Sequence, residues 1–199
     1  YPPKVTGKRL APRLQSLDGK VVYLVDCLFD NSAVFMEELR QWFAENLPAV
    51  ETPIITPHRS WTDDPEMRAK IATGGDAASL GVGLRSTCSP TVVGLALDLA
   101  RAGVPTVPVH THVFDRLARG RHTLSQRNRL RQAYVPQPVV DRTPAQLRAY
   151  IEGAGPITNR PFVRELIEGL TRPLDDADLK GVSFERTTPR LVEPDSEDN

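Results

Sequence analysis

The sequence predicts an α/β fold of the flavodoxin-like, three-layer kind, with a mostly parallel five-stranded sheet in the order 2-1-3-4-5. Three observations predict it. Short apolar, β-branched runs alternate with helical segments along most of the chain, the pattern of a parallel sheet covered on both faces. The best of these runs, Lys20 to Asp26 (KVVYLVD), shows no polar alternation, as suits a strand buried on both sides. The second run carries Pro53, which belongs at a sheet edge and selects 2-1-3-4-5 among doubly wound orders.

The elements follow in order. After the first strand, Asn31-Ser32 starts a helix with Phe35, Leu39, Trp42 and Phe43 on one stripe and acids in its first turn. Val50 to Thr56 is the second strand. Asp63-Asp64-Pro65 opens a short helix to about Ala72, and Gly74-Gly75 ends it. Ala77 to Val82 is the third strand. A nearly all-apolar helix runs from Pro90 to Ala102, with Ser89 as N-cap and Pro90 at its first position. Thr106 to Val109 is the fourth strand, and a basic helix spans Val113 to about Leu130. Ala133 to Val135 is the fifth strand. Two late helices cover Pro144 to Glu152, capped by Thr143, and about Arg160 to Leu170, started near Asn159.

The pattern divides the chain into an N-terminal extension (1–19), one α/β domain (20–172) and a charged tail (173–199). The tail is rich in Asp, Glu, Pro and Arg, with isolated apolars at Val182, Phe184, Leu191 and Val192; it is expected either to be disordered or to lie across a partner, and to be dispensable for folding.

Composition narrows the function classes. The 199 residues carry no net formal charge, which argues against nucleic acid, and no apolar run approaches a membrane span. Tyr1-Pro2-Pro3-Lys4 is followed by no apolar stretch of signal-peptide type. Two cysteines, Cys27 and Cys88, are too few for a disulfide framework, so the expectation is reduced thiols in the cytoplasm. The basic run Arg116, Arg119, Arg121, Arg127, Arg129 and Arg131 has no interleaved aromatics for base stacking; it reads as a solvated helix face or a contact for an acidic surface. Gly81 and Gly83 lack the rest of a dinucleotide fingerprint, and no G-x-S-x-G elbow exists. No cofactor and no metal are expected.

Open parallel sheets bind ligands at the carboxyl ends of their strands, near the switch between the first and third. Three segments bearing reactive residues converge there. Cys27 to Asn31 follows the first strand, Arg85 to Ser89 the third, and His110-Thr111-His112 the fourth. A thiol at Cys88 meets unpaired amides and the positive end of a helix dipole, which favour thiolate. Its pKa is expected below that of a free thiol, and the alternative is an inert Cys filling the corner. Arg85, with Ser86, Thr87, Ser89 and the loop amides, would grip a carboxylate. Asp26 and Asp30 would hold a substrate amine or orient a water, and Asp30-Asn31-Ser32 equally serves as helix capping. Cys27 is either a second catalytic thiol or a small core residue. His110 and His112, two apart, share a strand face and suit a general base or a hydrogen-bonded structural role better than a metal, since no standard zinc spacing is completed by Cys88, Asp26 or His58. His58 and His122 read as facing water. Tyr134 and Val135 to Pro138 close the fifth strand at the same edge.

The stretch Gly81-Val82-Gly83-Leu84-Arg85-Ser86-Thr87-Cys88-Ser89 resembles the loop of the UGSC-motif (seleno)protein family, whose members read roughly Gly-Val-Gly-Asp-Sec-Gly-Ser-Cys-Thr, with Cys often replacing Sec. Leu99 to Val107 and Val22 to Asp26 with Asn31 resemble flanking parts of the same family, over roughly residues 19 to 172. In this resemblance Arg85 occupies the Sec or first-Cys position, so the vicinal redox pair is absent and Cys88 is the surviving thiol.

Two functions follow as expectations. One is a thiol-dependent enzyme (lyase, isomerase, group transfer or redox) acting on a small carboxylate-bearing metabolite, with Cys88 as nucleophile or acid/base, Arg85 binding the anion, and His110 or His112 moving protons. The other is a non-catalytic or regulatory subunit that completes a complex with a related chain retaining the Sec/Cys motif. A homo-oligomer or a hetero-oligomer of that kind is expected, with no nucleic-acid or membrane partner.

Overall fold

The computed structural model describes residues 10–60, 63–124, 130–176 and 178. Five strands, β1 (Val22–Asp26), β2 (Ile54–Ile55), β3 (Ala77–Gly83), β4 (Thr106–Thr111) and β5 (Ala133–Val135), form one all-parallel sheet in the order β2-β1-β3-β4-β5. Every residue of β1, β3, β4 and β5 is buried, which is why none of them shows the apolar–polar alternation of a half-exposed strand. The edge strand is shorter than its sequence suggests. Its ladder is a bridge from Glu51 to Val21 followed by Ile54–Ile55. Pro53 joins only through its carbonyl, which accepts from Leu24 N–H at 2.9 Å, since proline has no N–H to give.

The helices are α1 (Ser32–Asn46), α2 (Pro65–Gly74), α3 (Cys88–Arg101), α4 (Asp115–Leu124), α5 (Pro144–Glu152) and α6 (Phe162–Thr171). α1 and α6 pack on the sheet and α5 joins them, while α3 and α4 cover β3 and β4. Phe35 of α1 meets Phe162 of α6 edge to face, with centroids 5.7 Å apart. α3 is apolar almost all round because it packs against β3, β4 and α4 together. α5 carries the expected Thr143 cap as a full capping box with Gln146. None of the described helices is long and apolar enough to cross a membrane.

Several boundaries differ from expectation. The first turn of α1 has no acid; Glu37 and Glu38 fall one turn later. α3 begins at Cys88, with Thr87 in the cap position, so Ser89 lies inside the helix. Its hydroxyl donates back to Arg85 O at 2.9 Å instead of capping. β4 runs two residues further, through His110 and Thr111, and His112 opens a 3-10 turn before α4. α6 starts at Phe162, because Pro161 occupies the cap position. The distal part of the expected basic helix, residues 125–129, lies outside the described residues.

The two flanking segments are also less separate than their composition suggests. Leu10, Ala11 and Leu17 are buried. Ala11 N–H donates to Ala100 O and Leu14 N–H to Leu170 O, both at 3.0 Å, satisfying carbonyls at the ends of α3 and α6. At the other end, Leu174 packs on the core and Asp178 is 6% exposed, paired with Arg131 at 2.6 Å. Arg131 therefore belongs to a packed contact and not to a solvated helix face. The rest of the tail, residues 179–199, lies outside the described residues.

Candidate functional site

β1 and β3 lie side by side at the switch in strand order, with Asp26 level with Gly81. The turn after β1 is held by the Asp26 carboxylate, which accepts from Leu28 N–H at 3.0 Å and from the Ser32 hydroxyl. Asn31 donates through Nδ2 to Val139 O at 2.8 Å and Arg142 O at 3.0 Å, tying this turn to the β5–α5 connection. Both side chains are spent on the architecture of the loops. Asp30 instead stands at the rim, half exposed, and pairs with the Arg85 guanidinium. That ion pair bridges the two loops on either side of the switch.

The β3–α3 loop is shaped around the Cys88 sulfur. Leu84 N–H donates to Sγ at 3.2 Å and Arg85 N–H at 2.9 Å, and the thiol points to Arg85 O at 3.5 Å. Two converging amides make a cradle suited to a thiolate. The side chain is nevertheless fully buried. Burial pushes the Cys88 thiol up; the Leu84, Arg85 and Cys88 amides and the Arg85 charge oppose this without overcoming it. The expected lowering of its pKa is therefore overturned. The helix start supplies the amides, but the sulfur sits beneath the loop, where desolvation dominates. Ser86 and Thr87 face solvent above it, while Ser89 is buried.

Cys27 is buried beside the same corner. Its thiol is pushed well above the ordinary range, first by burial, then by the Asp26 charge, and least by Cys88. Its sulfur lies 3.9 Å from Val25 O, the environment of a core thiol. Both cysteines are free thiols.

His110 and His112 do not share a strand face, because β4 stops at Thr111. His110 is fully buried under the β3–α3 loop, against Gly83, and its ring lies 6.3 Å from that of Tyr134. A Cβ built on Gly83 would stand 2.2 Å from His110 Nδ1 and 2.9 Å from Ser89 Cα, so only glycine permits this approach. His112 sits at the rim, with a buried Nδ1 that has no hydrogen-bond partner among the described residues. Tyr134 donates to Asp115, with Gln132 Oε1 3.0 Å from the same hydroxyl, and Arg119 donates to the same Asp115 at 2.6 Å. No sequence signal singles out Asp115; its role depends on contacts 19 residues apart. Among the described residues no three His, Cys, Asp or Glu side chains converge to hold a metal ion.

The carboxyl edge thus gathers Cys27, Cys88, Asp26, Asp30, Asn31, Arg85, Ser86, Thr87, Ser89 and His110, with His112 at its border. Among curated proteins none matches the chain. The model of the UGSC family matches residues 2–160, a span that contains every one of these residues, and the chain belongs to that family.

Proposed function

We propose that the β3–α3 loop is the active site of a thiol-dependent enzyme acting on a small carboxylate-bearing metabolite. The observation that carries this reading is the pair of amides, Leu84 N–H and Arg85 N–H, aimed at Cys88 Sγ. Such donors stabilise negative charge on sulfur as it develops. Asp30 holds Arg85 at the rim only as an exposed pair, worth about 0–1 kcal/mol. A substrate carboxylate can therefore take over the guanidinium at little cost, using the bidentate geometry that Arg favours. With its pKa raised, Cys88 rests as a thiol and acts as a proton donor or, once deprotonated on the amide cradle, as a base or nucleophile. His112, at the rim, is better placed than buried His110 to exchange that proton with solvent. The test is a panel of small carboxylic acids assayed with the purified chain. Cys88→Ser should abolish turnover while keeping binding, and Arg85→Ala should weaken binding by at least about tenfold. Turnover unaffected by Cys88→Ser would refute the reading.

The full burial of Cys88 favours a second reading, a subunit that completes a complex with a related chain. In that case Cys88→Ser is silent and activity appears only with a co-expressed partner.

A further inference from the structure

The loop between β2 and α2 leaves the sheet on the same carboxyl edge as the Cys88 loop. Leu24 is level with Ile54 and Val25 with Ile55, so the β2–α2 loop, which carries His58, begins beside the turn after β1. β2 and β3 flank β1, two strand spacings or about 10 Å apart. Arg85 shortens that gap, because its guanidinium reaches over to Asp30 of the intervening turn.

His58 reads in the sequence as a residue facing water. Its side chain is 77% exposed, but the ring is held: Nδ1 lies 2.6 Å from Asp64 Oδ2. Asp64 is itself fixed. The same Oδ2 accepts from His58 N–H at 2.8 Å, and Oδ1 accepts from Met67 N–H at 2.9 Å as the N-cap of α2. A carboxylate anchored at both oxygens sets the tautomer, with hydrogen on Nδ1 and Nε2 left to gain and lose a proton. His58 lines a shallow cleft of about 490 Å³ with Arg59, Asp63, Asp64, Pro65 and Glu66.

We propose that His58, oriented by Asp64, is a general acid/base of this edge, exchanging a proton with the carbon next to a carboxylate held at Arg85. The inference rests on the carboxylate-binding reading of the Cys88 loop. As His58 acts as base, the C–H bond breaks and an N–H bond forms at Nε2. The electron pair delocalises into the carboxylate beside Arg85, and Asp64 balances the imidazolium. The reverse step returns the proton. Asp64 raises the ring's pKa above its ordinary value, chiefly through their hydrogen bond, and Glu66, 4.0 Å from Nε2, adds to it. The other charges at the cleft are Arg59 and Asp63, the latter paired with Arg68 at 2.8 Å.

Malonate tests the assignment in the full chain, by histidine-resolved NMR and by exchange of its central protons in D2O. His58 should show the Nδ1–H tautomer, and malonate should shift its resonances together with the Arg85 and Cys88 amides. His58→Gln should slow the exchange by about 100-fold or more while leaving malonate affinity within about twofold. Asp64→Asn, which keeps the helix cap, should move the acid limb of the exchange profile to lower pH, marking Asp64 as a positioning residue. The inference is overturned if malonate shifts the Arg85 and Cys88 amides but not His58, or if His58→Gln exchanges at the wild-type rate. Malonate that shifts neither loop overturns the Cys88 reading and this inference with it.

Discussion

Gly83→Ala is the sharpest structural probe of the site. A Cβ at this position would lie 2.2 Å from His110 Nδ1 and 2.9 Å from Ser89 Cα. The first contact is far inside van der Waals distance, and the His110 ring is fully buried, so it cannot swing into solvent. The second contact is backbone at the start of α3 and cannot rotate away. Overpacking a close-packed interior costs about 1–3 kcal/mol, and two rigid neighbours place this substitution at the top of that range. For a chain of this size each kcal/mol lowers Tm by about 2–4 °C, so the expected drop is about 6–12 °C. Gly120→Ala is the matched control: a Cβ there meets nothing within 4 Å. As a mid-helix glycine in α4 it should gain about 1 kcal/mol as alanine. Thermal unfolding followed by circular dichroism reads both. Removing the ring by His110→Ala should make Gly83→Ala less costly, since one of its two obstructions is gone. Equal costs of Gly83→Ala in both backgrounds, or a Tm within about 1 °C of wild type, would refute the placement of His110 beneath the loop.

Other outcomes follow from the same geometry. Asn31→Ala removes two donors to Val139 O and Arg142 O at a positive φ of 60°; it should cost about 2 kcal/mol or more in urea unfolding, and Asn31→Gly less, since glycine adopts that φ freely. Truncation after Leu174 should lower Tm, because Asp178 is lost from beside Arg131 and Arg13. Burial and the Arg131 charge already push the Arg13 guanidinium down to about 10, with Asp178 opposing them. Asp178→Ala alone should reproduce most of the loss, and an unchanged Tm in both variants would contradict the packing of this segment. In acid, Asp64 and Glu37 are each held down at about 2, by amide bonds and by Arg40 respectively. Their folded pKa values lie below the unfolded ones, so the stability they contribute is complete above the ordinary carboxylate range and is lost as pH falls toward about 2. Urea midpoints across that window should fall, and Glu37→Gln should flatten part of the decline.

The parts of the fold that were legible are those where burial leaves a local mark. β1 and most of β3 are buried on both faces and so read as apolar runs, and Pro53 marks the edge because a missing N–H cannot join a central ladder. Thr143 before Pro144 announces a helix start, and the structure adds Gln146 as its capping-box partner. Boundaries set by tertiary contacts were less visible. The Ser89-Pro90 pair has the chemistry of a helix start, yet α3 begins one residue before it, because the loop closes on the Cys88 sulfur. Within the site, the dipole and amides near Cys88 could be inferred from spacing, but the depth of the sulfur could not, and depth decides the sign of its pKa shift. The bonds between Asp30 and Arg85, Asn31 and Val139, and Tyr134 and Asp115 join segments that only the sheet order brings together. His58 and Asp64 lie six residues apart, and their pairing depends on how the loop before α2 folds back on its cap.

The most direct test of the account is mass-resolved alkylation of the native chain by iodoacetamide and iodoacetate, from about pH 6 to about pH 10. Cys88, on its amide cradle, should label faster than Cys27 throughout, with a midpoint above that of a free thiol because burial outweighs the amides. Arg85→Ala should slow iodoacetate more than iodoacetamide, since only the former carries the carboxylate that Arg85 attracts. Labelling of both cysteines at one rate, and only after unfolding, would contradict the assignment of Cys88 as the reactive centre.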